Sequence, residues 1–408
     1  MATLAVDNGK VLTPDGFVEP GRVVIEDGKI TAVGKAVAAG TAHLRAAGKA
    51  GEVAIPEGAE VINAQGELVA PGFIDIHVHG GAGSDFCDEA EGTVETICRY
   101  HAGGGTTSLL GTTASMPPDR LRAAVSRIAE AKLKDTGGAR ILGVHVEGPF
   151  FPVDWRGCHL PEYVRAPSEE EVTGLLAYAD AIENITMAPE LENGLRTVER
   201  FADAGVTVSC GHSDASSELL QQAIKRGMRH STHMFCAMGT IRREGPARTP
   251  GVTETILALD EITTELIADG IHVPPLMMKL AVRAKGCDHV CLVSDAMRGA
   301  GMPDGNYTFG PPDGKMCFVR DGISVMPENT GYASSVIRLD DAVRTMVQEV
   351  GVALEDALHM ASQVPAHIIG WQDSKGTLAV GMDGDLVLLS DDLHAQKTIV
   401  AGEVVCEA

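Results

Sequence analysis

From Pro71 onward the chain alternates two patterns. Short apolar runs such as Ile141–Val144, Val206–Ser209 and His289–Val293 are interleaved with stretches of helical period at Leu121–Lys134, Gly194–Ala204 and Ser216–Arg226. Alternation sustained over roughly 300 residues demands a parallel sheet with crossover helices, because a hairpin cannot join parallel strands. The pattern predicts an α/β fold built on a closed (β/α)8 barrel, with a doubly wound open sheet as the second choice.

The two ends of the chain read differently. Gly21–Gly34 is strand, Asp-Gly turn, strand, a hairpin signal. Asp385–Leu389 and Lys397–Val405 repeat that style near the C-terminus. Neither end has a helical period, so they are expected to pair into a small β-sandwich domain of residues 1–66 and 371–408. The barrel would then span 67–370. The Ala-rich stretch Ala36–Gly51 is expected to be a surface loop or insertion.

Within the barrel segment, apolar runs repeatedly end in a polar residue. Pro71–Gly80 closes on His77 and His79, whose i, i+2 spacing puts both imidazoles on one face of a strand. Glu147 ends Gly143–Glu147, His212 and His233 follow the next two such runs, and Asp295 follows Leu292–Ser294. In a barrel the C-terminal strand ends form the site face, so residues from five strands would converge there. Neutral imidazoles and a carboxylate suit a divalent ion such as zinc or iron. Such an ion lowers the pKa of a bound water and polarises a carbonyl. Asp295, outside the histidine set, is the best candidate for the carboxylate that moves the water's proton to a leaving amine.

Other signals are weaker. His145 shares a face with Glu147 and reads as a hydrogen-bonded support; His230 and Glu190 read likewise. Gly103-Gly104-Gly105 lacks the lysine of a nucleotide loop and reads as the turn into a strand. The formal net charge of −23 argues against nucleic acid as a partner. No apolar run reaches the ~18 residues of a membrane span, and no signal peptide is visible at Met1–Asp7. Nine scattered cysteines argue against a disulfide framework, so the cytoplasm is the expected compartment. An anionic substrate would need a local cation cluster, and Arg242, Arg243 and Arg248 offer one.

The strings His145-Val146-Glu147-Gly148-Pro149-Phe150, Gly211-His212-Ser213, Thr232-His233-Met234-Phe235-Cys236-Ala237-Met238, Asp269-Gly270-Ile271-His272 and Ser294-Asp295-Ala296-Met297 resemble the amidohydrolase superfamily. More narrowly, they resemble its branch that deacetylates amino sugar phosphates. The resemblance implies hydrolysis of N-acetyl-D-glucosamine 6-phosphate, a small-molecule amino sugar phosphate, by one or two divalent ions per subunit. It implies that Glu147, His212 and His233 hold the main ion, and that His77 and His79 hold a second one bridged by Glu147. It implies Asp295 as catalytic acid/base and His159 as the group that polarises the scissile carbonyl. His272 and the backbone around Cys236 and Ala237 would meet the sugar phosphate. An arginine, with Arg243 and Arg248 as candidates, would complete the phosphate site across a homodimer. That branch usually has Asn where Cys236 stands, and the segments after Met238 and around Asn329–Ser335 depart from its pattern. Those departures fall on substrate recognition, so an N-acylated galactosamine phosphate is the alternative substrate. A barrel relative that had lost catalysis is the non-enzyme alternative.

Overall fold

A computed structural model describes residues 3–37, 51–327 and 330–408. The expected Ala-rich loop therefore lies, from 38 to 50, outside the described residues.

Eight parallel strands stand side by side in chain order: Phe73–Val78, Thr106–Thr113, Arg140–Glu147, Ile182–Met187, Thr207–Cys210, Met228–Ser231, Thr263–Ile267 and Val290–Val293. We refer to them as the first to eighth barrel strands. The ring closes just past the eighth, where Asp295 N–H donates to the carbonyl of His77 at 2.8 Å. Parallel strands must be covered on both faces, and here even the polar positions are interior: every residue of the first and second strands is buried. The closed barrel, not the open sheet, is the fold.

Helices follow the strands and pack their apolar stripes on the barrel. The stretch expected to be helical from Leu121 runs instead from Pro118 to Ala131. Proline is tolerated in the first turn, where its missing N–H would have no intrahelical partner. Ser216 caps the helix Ser217–Lys225 by accepting the Leu219 N–H, which fixes its start. Phe73, Phe86, Phe150 and Phe201 are buried in the core between strands and helices. Each such burial contributes about 1.5–3 kcal/mol.

The chain ends form one nine-stranded sheet. Its path runs Glu403–Glu407, Ala395–Val400, Leu386–Leu389, Leu68–Pro71, Thr3–Thr13, Gly16–Glu26, Lys29–Ala36 and Gly51–Val53, with Glu60–Asn63 also on Thr3–Thr13. N- and C-terminal strands meet where Leu68–Pro71 pairs with Leu386–Leu389. This sheet takes Leu68–Pro71, past the expected boundary at 66, because their backbone continues the ladder before the chain enters the barrel. Its own core joins Val6, Val23, Leu386 and Ile399.

A three-stranded antiparallel flap, Gly305–Phe309, Lys315–Arg320 and Ile323–Val325, follows the eighth strand. The sequence reading did not single it out. All nine cysteines are free, and no described helix is long and apolar enough to cross a membrane.

Candidate active site

The side chains at the C-terminal mouth are aimed by the backbone that follows each strand. The fifth, sixth and eighth strands end at Cys210, Ser231 and Val293, and His212, His233 and Asp295 each follow by two residues. Their φ angles are 51°, 27° and 46°, left-handed values that L side chains rarely adopt. Such backbone costs about 1–2 kcal/mol per residue and persists only where the surroundings over-determine it. Here the turn swings each polar side chain over the barrel axis.

Glu147, the last residue of the third strand, is the hub. Its Oε1 lies 3.2 Å from His212 Nε2 and 3.1 Å from His233 Nε2, and those two nitrogens are 3.1 Å apart. Its Oε2 lies 3.2 Å from His79 Nε2, and its Oε1 lies 3.5 Å from His77 Nε2. His77 and His79 Nε2 are 3.3 Å apart. Two trios therefore share Glu147: one with His212 and His233, one with His77 and His79. An ion with ligand bonds of about 2.0–2.1 Å holds tetrahedral ligand atoms about 3.3 Å from one another. The spacing in both trios fits that requirement.

The proton positions separate ligands from hydrogen-bond donors. His212 Nδ1 faces the carbonyl of Trp155 at 2.8 Å. A carbonyl only accepts, so Nδ1 carries the proton and Nε2 presents a lone pair. His77 is arranged the same way, with Nδ1 2.9 Å from Glu265 Oε2. His159 is reversed: its Nδ1 accepts the Ser115 backbone N–H at 3.0 Å, so its proton sits on Nε2, 3.2 Å from Glu147 Oε2. His159 is thus built to donate, not to ligate. His145 has both nitrogens committed, to the Ile76 carbonyl and the Thr186 hydroxyl, which suits the support role expected for it.

Electrostatics points the same way. Burial opposes the charge on Glu147, Glu265 and Asp295, yet the surrounding imidazoles hold Glu147 and Glu265 well below the usual carboxylate range and Asp295 below it. Burial would also lower His77 and His79. The carboxylates of Asp295, Glu265 and Glu147 outweigh it at His77, and those of Asp295 and Glu147 lift His79 to about 9. Burial alone dominates at His212, driven down to about 4. Three buried carboxylates drawing positive charge onto imidazoles are what a divalent cation would satisfy while leaving the imidazoles neutral.

Asp295 lies against the His77–His79 trio. Its Oδ1 lies 3.5 Å from His77 Nε2 and 3.4 Å from His79 Nε2, and accepts from Ser334 Oγ at 3.2 Å. No described residue hydrogen-bonds Oδ2. Above these groups opens a cavity of about 430 Å³, with Glu147, His159, His212, His233 and Asp295 in its floor and Cys236, Ala237, His272 and the flap residue Phe309 in its walls. His272 is held by Asp269, whose Oδ2 lies 2.7 Å from its Nδ1. That leaves His272 Nε2 buried with no protein partner on the cavity side.

Most of the sequence-derived set is thus in one place. Arg243 and Arg248 are not. They face each other across the ribbon Arg242–Glu244 and Ala247–Thr249, are exposed, and do not line the cavity. Glu190 binds Ser213 Oγ and Asp214 N–H, bracing the turn beyond His212. Sequence reasoning missed Glu265 and Ser334. Glu265 could have been noticed as the one charge within the buried strand Thr263–Ile267, between Thr264 and Leu266; Ser334 carries no such signal.

The amidohydrolase family model matches residues 68–405. The N-acetylglucosamine-6-phosphate deacetylase of Bacillus subtilis (strain 168) is 33% identical, covering 98% of this chain and 97% of its own. The N-acetylgalactosamine-6-phosphate deacetylase of Escherichia coli O157:H7 is 32% identical, over 97% of each. A crystal structure of N-acetylglucosamine-6-phosphate deacetylase from Pasteurella multocida superposes with a TM-score of 0.87 at 31% identity, over 98% of this chain and 99% of that one.

Proposed function

The chain belongs to the amidohydrolase family, and from that premise we propose that it hydrolyses the N-acetyl group of N-acetyl-D-glucosamine 6-phosphate to glucosamine 6-phosphate and acetate. The observation that carries the reading is the position of Asp295, an ionised carboxylate between the histidine–glutamate trios and a cavity of sugar-phosphate size.

A divalent ion, zinc or iron, held by Glu147, His212 and His233, with a second position at His77 and His79, would acidify an attacking water and polarise the acyl carbonyl. Asp295 takes the proton from that water at its free Oδ2 and passes it to the amide nitrogen as the C–N bond breaks. His159 donates its Nε2–H to the acyl oxygen, where negative charge develops. The buried His272 Nε2 and the backbone at Cys236 and Ala237 take the sugar phosphate, and Phe309 helps to keep bulk water from the floor.

Arg243 and Arg248, exposed and outside their own cavity, serve the phosphate bound by a second copy, so the working unit is a homodimer. Nine free cysteines are consistent with a reducing cytoplasm. The test is acetate release from the 6-phosphates of N-acetylglucosamine and N-acetylgalactosamine and from the neutral sugars, with and without a chelator. Acetate from none of them, or turnover indifferent to chelation, would sink the reading. The galactosamine epimer is the second reading, favoured by the 32% identity to the E. coli enzyme; the ratio of kcat/KM for the two phosphates decides between them.

A further inference from the structure

Glu265 touches both trios and belongs to neither. It sits on the seventh barrel strand, 0% exposed, on a strand that contributes nothing else to the two trios. Its Oε2 accepts the His77 Nδ1–H at 2.9 Å and the backbone N–H of His233 at 3.0 Å. Its backbone carbonyl accepts the Met234 N–H at 2.9 Å. Its Oε1 lies 3.4 Å from His230 Nε2, and His230 is in turn anchored through Nδ1 to Thr263 Oγ1 at 2.7 Å.

We propose that Glu265 is the positioning residue that couples the two halves of the ion site, fixing the His77 tautomer and the His233 turn with one carboxylate oxygen. This rests on the deacetylase reading and deepens it.

Two separate requirements meet at that oxygen. His77 can ligate through Nε2 only if its proton stays on Nδ1, and a buried acceptor at Nδ1 enforces that. His233 reaches Glu147 only because its backbone turns at φ 27°, and a turn of that kind needs a fixed partner for its N–H. In the neighbouring sequence no other described side chain accepts from either group. Reach therefore matters as well as charge: the oxygen must stand between a ring nitrogen from the first strand and a main-chain nitrogen beyond the sixth. A glutamine keeps that reach, because its amide oxygen can accept both N–H groups while its NH2 turns toward His230 Nε2. An aspartate keeps the charge and loses one methylene of reach.

The experiment compares Glu265→Gln and Glu265→Asp with the unaltered protein. Zinc affinity is measured by chelator competition, ion number by elemental analysis, and folding by the Tm of the ion-free form. Loss of an orienting partner typically weakens metal binding by about 10–100-fold. The expected result is that weakening in Glu265→Asp, with Glu265→Gln within about 3-fold of the unaltered protein and both variants folded without zinc. Unchanged zinc affinity in Glu265→Asp overturns the inference, as does a Glu265→Gln variant that binds zinc more weakly than Glu265→Asp. If Glu265→Asp does not fold, Glu265→Gln still decides, since a loss of 10-fold or more there is incompatible with positioning by reach. An unaltered protein that binds no zinc or iron overturns the deacetylase reading itself, so the two failures are distinguishable.

Discussion

His159 and His212 stand ring to ring at 5.1 Å and 90°, both within 3.2 Å of Glu147, and hold opposite tautomers. One backbone N–H, from Ser115, makes His159 a donor at Nε2; one backbone carbonyl, from Trp155, leaves His212 with a lone pair at Nε2. The same residue type does two jobs because the main chain behind each ring differs.

This contrast yields the first prediction. His212→Gln should release the ion held with Glu147 and His233, measured as a fall in bound metal. His159→Gln should keep its metal and lose turnover by about 10²–10³-fold, the cost of one oxyanion donor. Equal metal loss in both variants would refute the assignment of tautomers.

Asp295→Asn should retain metal and lose about 10²–10⁴ in kcat, since the amide cannot take a proton from water. Steady-state acetate release checks it, and near-normal turnover would remove Asp295 from the chemistry.

Replacing His77 and His79 together by glutamine should cost one ion per subunit and leave measurable activity. Glu147, His212 and His233 keep their mutual contacts at 3.1–3.2 Å without them. Elemental analysis gives the count, and an unchanged content would show that no ion uses this pair.

Arg243→Ala or Arg248→Ala should raise KM for the phosphorylated sugar about 10-fold or more, as expected for one charged hydrogen bond of about 1.5–3 kcal/mol. The neutral sugar should be unaffected. Sedimentation should report a dimer, because both arginines lie outside the cavity of their own chain. An equal effect on both sugars would count against the clamp.

A buried charge cluster in the terminal domain is testable by stability. Lys375, buried, lies 2.6 Å from Asp385 and 2.9 Å from Asp383. Removing its charge with Lys375→Met leaves two carboxylates without it and should cost about 3–5 kcal/mol at neutral pH. Burial would lower the Lys375 pKa, but Asp385 and Asp383 raise it, so its contribution is complete below the ordinary lysine value and fades only as pH rises through the raised one. Burial would raise Asp383, but Lys375 and Lys29 lower it, so its contribution is present above the ordinary carboxylate value and fades as pH falls through the lowered one. Denaturant unfolding should therefore show a difference between the two proteins that is flat across neutral pH and shrinks in acid.

Several parts of this site were legible in the chain. A strand's polar last residue is visible in one dimension, because the apolar run announces the strand and the next residues announce its mouth; Glu147, His212, His233 and Asp295 were found that way. Glu265 was not, because it lies inside its strand, and its value comes from His77, 188 positions away. Arg243 and Arg248 were found as charges, but their exposure depends on a ribbon whose direction no local pattern sets.

The sequence by itself determined the barrel, the paired termini and the identity of the metal-competent side chains. Those follow from period, turn chemistry and residue type, all of which act over a few neighbours. Only the tertiary structure decided which nitrogen of His77, His159 and His212 carries a proton and which carboxylate joins the two trios. Those are set by hydrogen-bond partners from other strands and loops, such as the Trp155 carbonyl for His212 and Glu265 for His77, and a buried polar group takes its state from the partner that closing the barrel brings to it.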